Sequence, residues 1–152
     1  MRVVSIQKND ATNSITGFTY SIFFSGCSHR CEGCFSPTTW RYEDGETFTV
    51  DELMCEILKS RHKNVSLIGG DPFYKNNRNE VVELIKQIKA QTNKKVYVWT
   101  GYTIDDVRTW IDPNLIDYLI DGKFEMSKRD LRLTLRGSSN QNIYHKGVKV
   151  EL

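Results

Sequence analysis

Three of the four cysteines in this 152-residue chain, Cys27, Cys31 and Cys34, fall in one short loop with the spacing C-x3-C-x2-C. In a reducing compartment such clustering favours a metal site over disulfides. A [4Fe–4S] cluster held by four protein thiolates is an electron carrier. Three thiolates leave one iron without a protein ligand, and an open metal position marks a site that does chemistry. That position can take the amine and carboxylate of a small molecule. Gly26 and Gly33 flank the thiols and let backbone approach the metal closely. Other ligand sets stay open. Zinc asks for four ligands, commonly in C-x2-C pairs, with His29 or His145 able to supply the fourth. Cys55 could complete a four-thiolate site, although it falls inside a helical pattern, off the Leu53/Ile57 face. His29 itself reads as a polar loop residue.

Four further stretches carry groups suited to ligand contact. Gly69-Gly70-Asp71-Pro72 puts two glycines, an acid and a proline at a sharp turn, exposing backbone amides and carbonyls. Thr100-Gly101-Tyr102 and Asp121-Gly122-Lys123-Phe124 have the composition of strand-ending turns. Arg136-Gly137-Ser138-Ser139-Asn140-Gln141 combines a guanidinium, two hydroxyls and two amides, a set suited to gripping backbone or carboxylate. Each of these also reads as a plain turn. Trp99 and Tyr97 read as core aromatics.

The elements that position these groups are legible in the hydrophobic pattern. Thr19 to Ser25 is an aromatic and β-branched strand that delivers the cysteine loop. Thr49 and Glu52 form a capping box for a helix to about His62, with Leu53, Met54, Ile57 and Leu58 on one face. Asn64 to Ile68 is a second strand, ending at Gly69-Gly70. A helix over Asn79 to Gln91 follows, built on Val81, Val82, Leu84, Ile85 and Ile88. Lys95 to Thr100 is a third strand, Thr103 to Trp110 a short helix capped by Thr103, and Leu115 to Ile120 a fourth strand. Ile143 to Val150 is a final strand. Lys128, Arg129, Arg132 and Arg136, interrupted by Asp130, read as a solvated helix face. Strand–helix alternation argues an α/β fold with a largely parallel sheet. Eight βα units need about 200 residues or more, so an open, partial (β/α) barrel is expected. In such sheets ligands bind beyond the carboxyl ends of the strands, where every motif above lies.

The composition is that of an ordinary globular chain, with 39% hydrophobic and 26% charged residues and a formal net charge of +2. Residues 1–152 are expected to form a single domain. The charge is too small to imply nucleic acid as a partner. No apolar run approaches the ~20 residues of a membrane span, and MRVVSIQKND lacks the apolar centre of a signal peptide. A cytoplasmic location, with no membrane and no nucleic acid among its partners, is expected.

The cysteine spacing followed by Phe35 resembles the signature of the radical S-adenosylmethionine (SAM) superfamily, and Gly33 before the last cysteine resembles its activating-enzyme branch. Gly69-Gly70-Asp71 is similar to the "GGE" motif whose backbone holds the SAM amino group, with Asp71 in place of the common glutamate. The combination of the F-x-x-G-C lead-in, GGDP, TGY, the DG turn and a terminal RGSSNQ resembles the activating components of anaerobic ribonucleoside-triphosphate reductases over nearly the whole chain. The resemblance implies a partial barrel of the radical SAM type and a [4Fe–4S] cluster on Cys27, Cys31 and Cys34. It implies SAM contacts from Gly33, Cys34, Phe35, Gly69, Gly70, Asp71 and Thr100, with no catalytic residue beyond the cluster. It implies reductive cleavage of SAM to methionine and a 5′-deoxyadenosyl radical, which takes hydrogen from a glycine of the large anaerobic reductase subunit. The electron comes from an external, flavodoxin-like reductant. The tail residues Arg136, Ser138, Asn140 and Gln141 are expected to face the partner. No second cysteine cluster exists for auxiliary iron–sulfur sites.

Overall fold

The run TYSIFF forms strand β2 (Thr19–Phe24), preceded by β1 (Arg2–Asp10) and followed by the short β3 (Glu46–Thr47). From there strand and helix alternate: α1 (Val50–Lys59), β4 (Asn64–Gly69), α2 (Arg78–Gln91), β5 (Lys95–Trp99), α3 (Ile104–Arg108) and β6 (Tyr118–Asp121). The chain ends in β7 (Asn142–His145) and β8 (Val148–Val150). The computed structural model describes residues 1–152. All eight strands belong to one open sheet of order β3-β1-β2-β4-β5-β6-β7-β8.

The α/β class is as expected, but "largely parallel" needs correction. Only the centre, β2-β4-β5-β6, is parallel. Both flanks join it antiparallel. The three central crossovers each carry a helix, the usual connection of a parallel pair, whereas the links from β1 to β2 and from β7 to β8 are too short for a crossover. The expected single strand over Ile143–Val150 is instead a hairpin turning at Lys146 and Gly147, with φ of 49° and 85°. Two consecutive positive φ values make the tight turn that matches strand twist. β1 drew no expectation, because most of its residues are exposed and only Val3 and Asp10 are buried.

The central strands expose two unlike faces. Tyr20, Ile22, Phe24, Val65, Leu67, Val96, Val98 and Leu119 form one, packed in a single buried core with Leu53, Met54 and Ile57 of α1 and with α2. From α2, Val81, Leu84, Ile85 and Ile88 are fully buried, each stabilising by about 1.5–3 kcal/mol at most. Val82 is half-buried, and Leu58, expected on the buried face of α1, is 53% exposed. It lies one residue past Ile57, about 100° round the helix. Thr49 and Thr103 both close capping boxes, with Glu52 and Asp106. On the opposite face Ser21, Ser66, Tyr97 and Tyr118 run across the strands in register. The segment between β1 and β2 covers this face: Ser66 Oγ donates to Asn13 O at 2.6 Å and Ile15 N–H to Tyr97 Oη at 3.3 Å. From the tail, Leu135 O accepts Trp99 Nε1–H at 2.8 Å.

Two other expectations change. Pro113–Leu115 is a 3-10 turn, so the strand expected from Leu115 begins only at Tyr118. The basic cluster from Lys128 to Arg136 is not a helix face. It follows a single 3-10 turn (Met126–Lys128) in an irregular loop, where Arg132 pairs with Asp130 rather than with a helical neighbour.

Candidate functional site

Parallel register places the ends of β2, β4, β5 and β6 side by side, so the loops that leave them meet at one edge. There Cys27, Cys31 and Cys34 line one cavity of about 150 Å³ together with Gly69, Gly70 and Thr100. Cys27 is 8% exposed, and the other two thiols are half-buried. Burial pushes the Cys27 thiol above its ordinary pKa, against the backbone N–H groups of Arg30 and His29 that point at the sulfur. Burial does the same at Cys31, against the N–H of Phe124. Ser36 N–H donates to Cys34 Sγ at 3.4 Å. Every thiol therefore meets at least one backbone donor, the environment that stabilises cluster thiolates.

These donors fit an iron–sulfur cluster. Thiols spread round a cavity suit a cluster in which each sulfur takes a different iron. Of the other candidate ligands, His29 lines the same cavity but turns its Nε2 to Asp71 Oδ2 at 2.8 Å, and the remaining two lie elsewhere. His145 is on β7, opposite Tyr118 at the far end of β6, with Nδ1 2.9 Å from Asp117 O. Cys55 is exposed on α1. The cavity wall also holds Trp40, whose buried indole N–H has no acceptor in the protein.

The glycine turn is held by the cysteine loop itself. Asp71 N–H donates to Gly26 O at 2.8 Å, and Gly26 N–H to Thr39 O at 2.8 Å. A Cβ on Gly70 would stand 2.5 Å from Gly26 O and 2.7 Å from Thr39 O. Gly69, at φ 112°, would put a Cβ 2.5 Å from Phe24 N and O. What excludes side chains here is the protein's own backbone, although both glycines also line the cavity. Asp71 differs from expectation: it is 1% exposed and lies behind the wall. Its carboxylate accepts from Phe73 N–H (2.9 Å), Thr100 Oγ1 (2.8 Å), Gly101 N–H (2.9 Å) and His29 Nε2 (2.8 Å). Gly33, at φ 72°, also lies outside the cavity, beside Met126.

The tail motif ties down the turn after β6. Gln141 Oε1 accepts the N–H groups of Gly137 (2.8 Å) and Ser138 (3.2 Å), while its Nε2 donates to Gly122 O at 3.0 Å. Asn140 Nδ2 donates to Lys123 O at 2.8 Å, and Ser138 Oγ accepts Glu125 N–H at 3.1 Å. These bonds bracket Phe124, whose ring lines the cavity. Gln141 reaches the cavity wall too; Ser138 and Asn140 do not, and Arg136 lies on an outer groove. That groove, about 530 Å³, shares Phe35, Trp99, Phe124 and Gln141 with the cavity and opens past Leu131, which is 75% exposed. Phe35 is 58% exposed at the junction, its ring 5.2 Å from that of Phe124.

Trp99, Trp40 and His29 are wall residues that the sequence reading did not mark as such. Trp99 was read as core, yet it lines the cavity; alternation from the buried Val98 would have placed it on the other face. Phe124 belongs to the stretch after β6 that the sequence already marks as suited to ligand contact, and it does line the cavity. Trp40 and His29 carry no periodic signal, because both sit in irregular loops.

Residues 16–144 match a family model described as a 4Fe-4S single cluster domain. A protein from Salmonella typhi named anaerobic ribonucleoside-triphosphate reductase-activating protein is 37% identical over 137 residues, covering 85% of this chain and 89% of its own. A protein of the same name from Enterobacteria phage T4 is 38% identical over 127 residues, covering 81% of each. Another, from Pasteurella multocida, is 35% identical over 156 aligned positions, covering 95% and 97%.

Proposed function

We propose a function from one premise: the chain belongs to the family of anaerobic ribonucleoside-triphosphate reductase-activating proteins and carries its 4Fe-4S domain. It is an enzyme that activates the large reductase subunit by radical SAM chemistry. The open sheet is a partial barrel of the radical SAM type, and residues 1–152 act as one domain. The observation that carries this reading is the meeting of the three loop cysteines with Gly69, Gly70 and Thr100 in one cavity at the carboxyl edge of the parallel strands.

Cys27, Cys31 and Cys34 would hold the cluster, which with bound SAM would supply the one-electron chemistry at the sulfonium that places a glycyl radical on the reductase. The protein's share is geometry and exclusion. Backbone donors near the three thiols steady their negative charge. The Gly69–Gly70 turn offers backbone groups to the SAM amine, and Thr100 and Gly101 close the adjoining wall. Trp40, Trp99 and Phe124 keep water and stray hydrogen donors from the cavity. The outer groove past Phe35 and Leu131 admits a partner segment, with Arg136 on its wall. The tail residues Ser138, Asn140 and Gln141 serve that partner by shaping the wall it meets. A flavodoxin-like reductant supplies the electron, and the setting is the cytoplasm; no helix is long and apolar enough to cross a membrane.

The test is anaerobic reconstitution with iron, sulfide, SAM and reductant, scored for 5′-deoxyadenosine. The large reductase subunit is then added and the glycyl doublet sought by electron paramagnetic resonance. A cluster indifferent to SAM, or a reductase left without a radical, overturns the reading.

A further inference from the structure

We propose that His29 and Asp71 form a positioning pair that bolts the cysteine loop to the end of the parallel sheet and sets the direction in which its thiolates face. The inference rests on the reading of the cavity as the cluster and SAM site.

His29 lies midway between Cys27 and Cys31, yet its imidazole leaves the loop. Nε2 donates to Asp71 Oδ2 at 2.8 Å, and the side chain is only 7% exposed. The ring stands edge-on to Tyr102, centroids 4.6 Å apart. It packs on Gly101, where a Cβ would come within 2.4 Å of the ring, so a glycine is what admits it. Tyr102 is braced in turn by Arg78, whose Nη2 donates to Tyr102 Oη at 3.4 Å and whose guanidinium lies over Trp110 at 3.8 Å. The rest of the Asp71 carboxylate takes Phe73 N–H, Thr100 Oγ1 and Gly101 N–H.

One carboxylate thus joins the cysteine loop, the turn after β4 and the turn after β5. Its four donors fill the acceptor sites of a carboxylate. Asp71 also grips the loop by its backbone, donating N–H to Gly26 O one residue before Cys27. Cys27 is therefore fixed from both sides by the same residue. The arrangement suits an aspartate: a longer side chain at this buried position would have to shift the four donors that the carboxylate engages. Neither residue touches the reacting atoms; both act through the thiols and through Thr100.

The test reads the loop without any cofactor first. In iron-free, reduced protein, alkylation of Cys27 by iodoacetamide is followed by mass mapping, with exposed Cys55 as internal standard. Loss of one charge-assisted hydrogen bond in His29→Ala should speed Cys27 roughly tenfold relative to Cys55. His29→Gln, which returns an N–H donor near the Nε2 position, should recover most of that. A Cys27 rate in His29→Ala within about twofold of wild type, well inside the tenfold expected for that bond, overturns the proposal. The second arm titrates reconstituted protein with SAM, following the reduced cluster by electron paramagnetic resonance. His29→Ala and Asp71→Glu should keep iron but bind SAM about tenfold more weakly, and His29→Gln should regain affinity. Were Asp71 simply a substitute for the common glutamate as a SAM ligand, Asp71→Glu would bind SAM as tightly as wild type, and that result overturns the pair. If the wild-type cluster ignores SAM altogether, the function proposed above falls, while the Cys27 rates still decide the pair.

Discussion

Replacing Gly70 with alanine should destabilise the protein before any iron or SAM is present. The sequence suggests that a side chain at Gly70 would block a ligand. The structure aims the Cβ at protein backbone instead: 2.5 Å from Gly26 O, 2.7 Å from Thr39 O and 2.9 Å from Gly26 C. None of these is the end of a flexible side chain. Gly26 is held by its own N–H to Thr39 O and by Asp71 N–H to its O, both at 2.8 Å. Overpacking against such neighbours costs about 1–3 kcal/mol. Breaking one of the two buried hydrogen bonds to make room costs about 1–3 kcal/mol more. The expected total is about 2–6 kcal/mol, a large part of the roughly 5–15 kcal/mol available to a domain. Urea unfolding of the iron-free, reduced protein measures it; with a slope of about 1–3 kcal/mol/M the midpoint should fall by roughly 1 M or more. Gly17→Ala is the control. Gly17 has φ 70° but nothing within 4 Å of its Cβ, so its cost is limited to left-handed strain of about 1–2 kcal/mol. A Gly70→Ala midpoint no lower than that of Gly17→Ala refutes the steric reasoning. Near-normal stability with selective loss of SAM binding would restore the ligand-blocking view.

Alanine at Cys27, Cys31 or Cys34 should abolish cluster-dependent SAM cleavage, whereas Cys55→Ala, exposed on α1, should leave iron content and 5′-deoxyadenosine yield unchanged; a dead Cys55 variant would make it a fourth ligand. Arg136→Ala should lower the glycyl-radical yield on the reductase more than uncoupled SAM cleavage, because Arg136 lines the outer groove rather than the cavity. Equal losses would assign that loop to SAM or to the fold. Asp10 supplies a pH dependence remote from the cysteines. Burial raises its pKa, but hydrogen bonds from Ser21, Thr12 and Asn13 outweigh this and hold it below the ordinary 3.8. A folded value below the unfolded one means that its contribution is fully present above the ordinary value and is lost as pH falls through the lower folded value. Asp10→Asn should therefore flatten the loss of stability on acidification below about pH 4, measured by urea midpoints, and an unchanged acid limb would deny Asp10 that role.

Periodicity and composition were enough to locate the parts of this protein that depend on local physics. The capping boxes at Thr49 and Thr103, the core positions of α2 and the three central strand–helix crossovers follow from spacing that neighbours in the chain enforce. The cysteine spacing likewise announces a shared metal site, because eight residues of loop cannot keep three thiols far apart. What the sequence could not convey is which groups meet across the sheet. β1 and the β7–β8 hairpin become strands by pairing with partners distant in sequence, and pairing leaves little trace in a mostly exposed strand. The helical pattern counts Leu58 with the inward face, but its angle on the helix turns it outward. Asp71 carries the sharpest contrast. A carboxylate beside two glycines at a strand end has the look of a ligand contact. Besides the neighbouring Phe73 N–H, its partners are His29, 42 positions before it, and Thr100 and Gly101 about 30 after. Side-by-side registry of β2, β4 and β5 brings those positions together, and buried polar groups must then satisfy one another. Three loops that the chain keeps apart thus become one site, through contacts that only the assembled sheet creates.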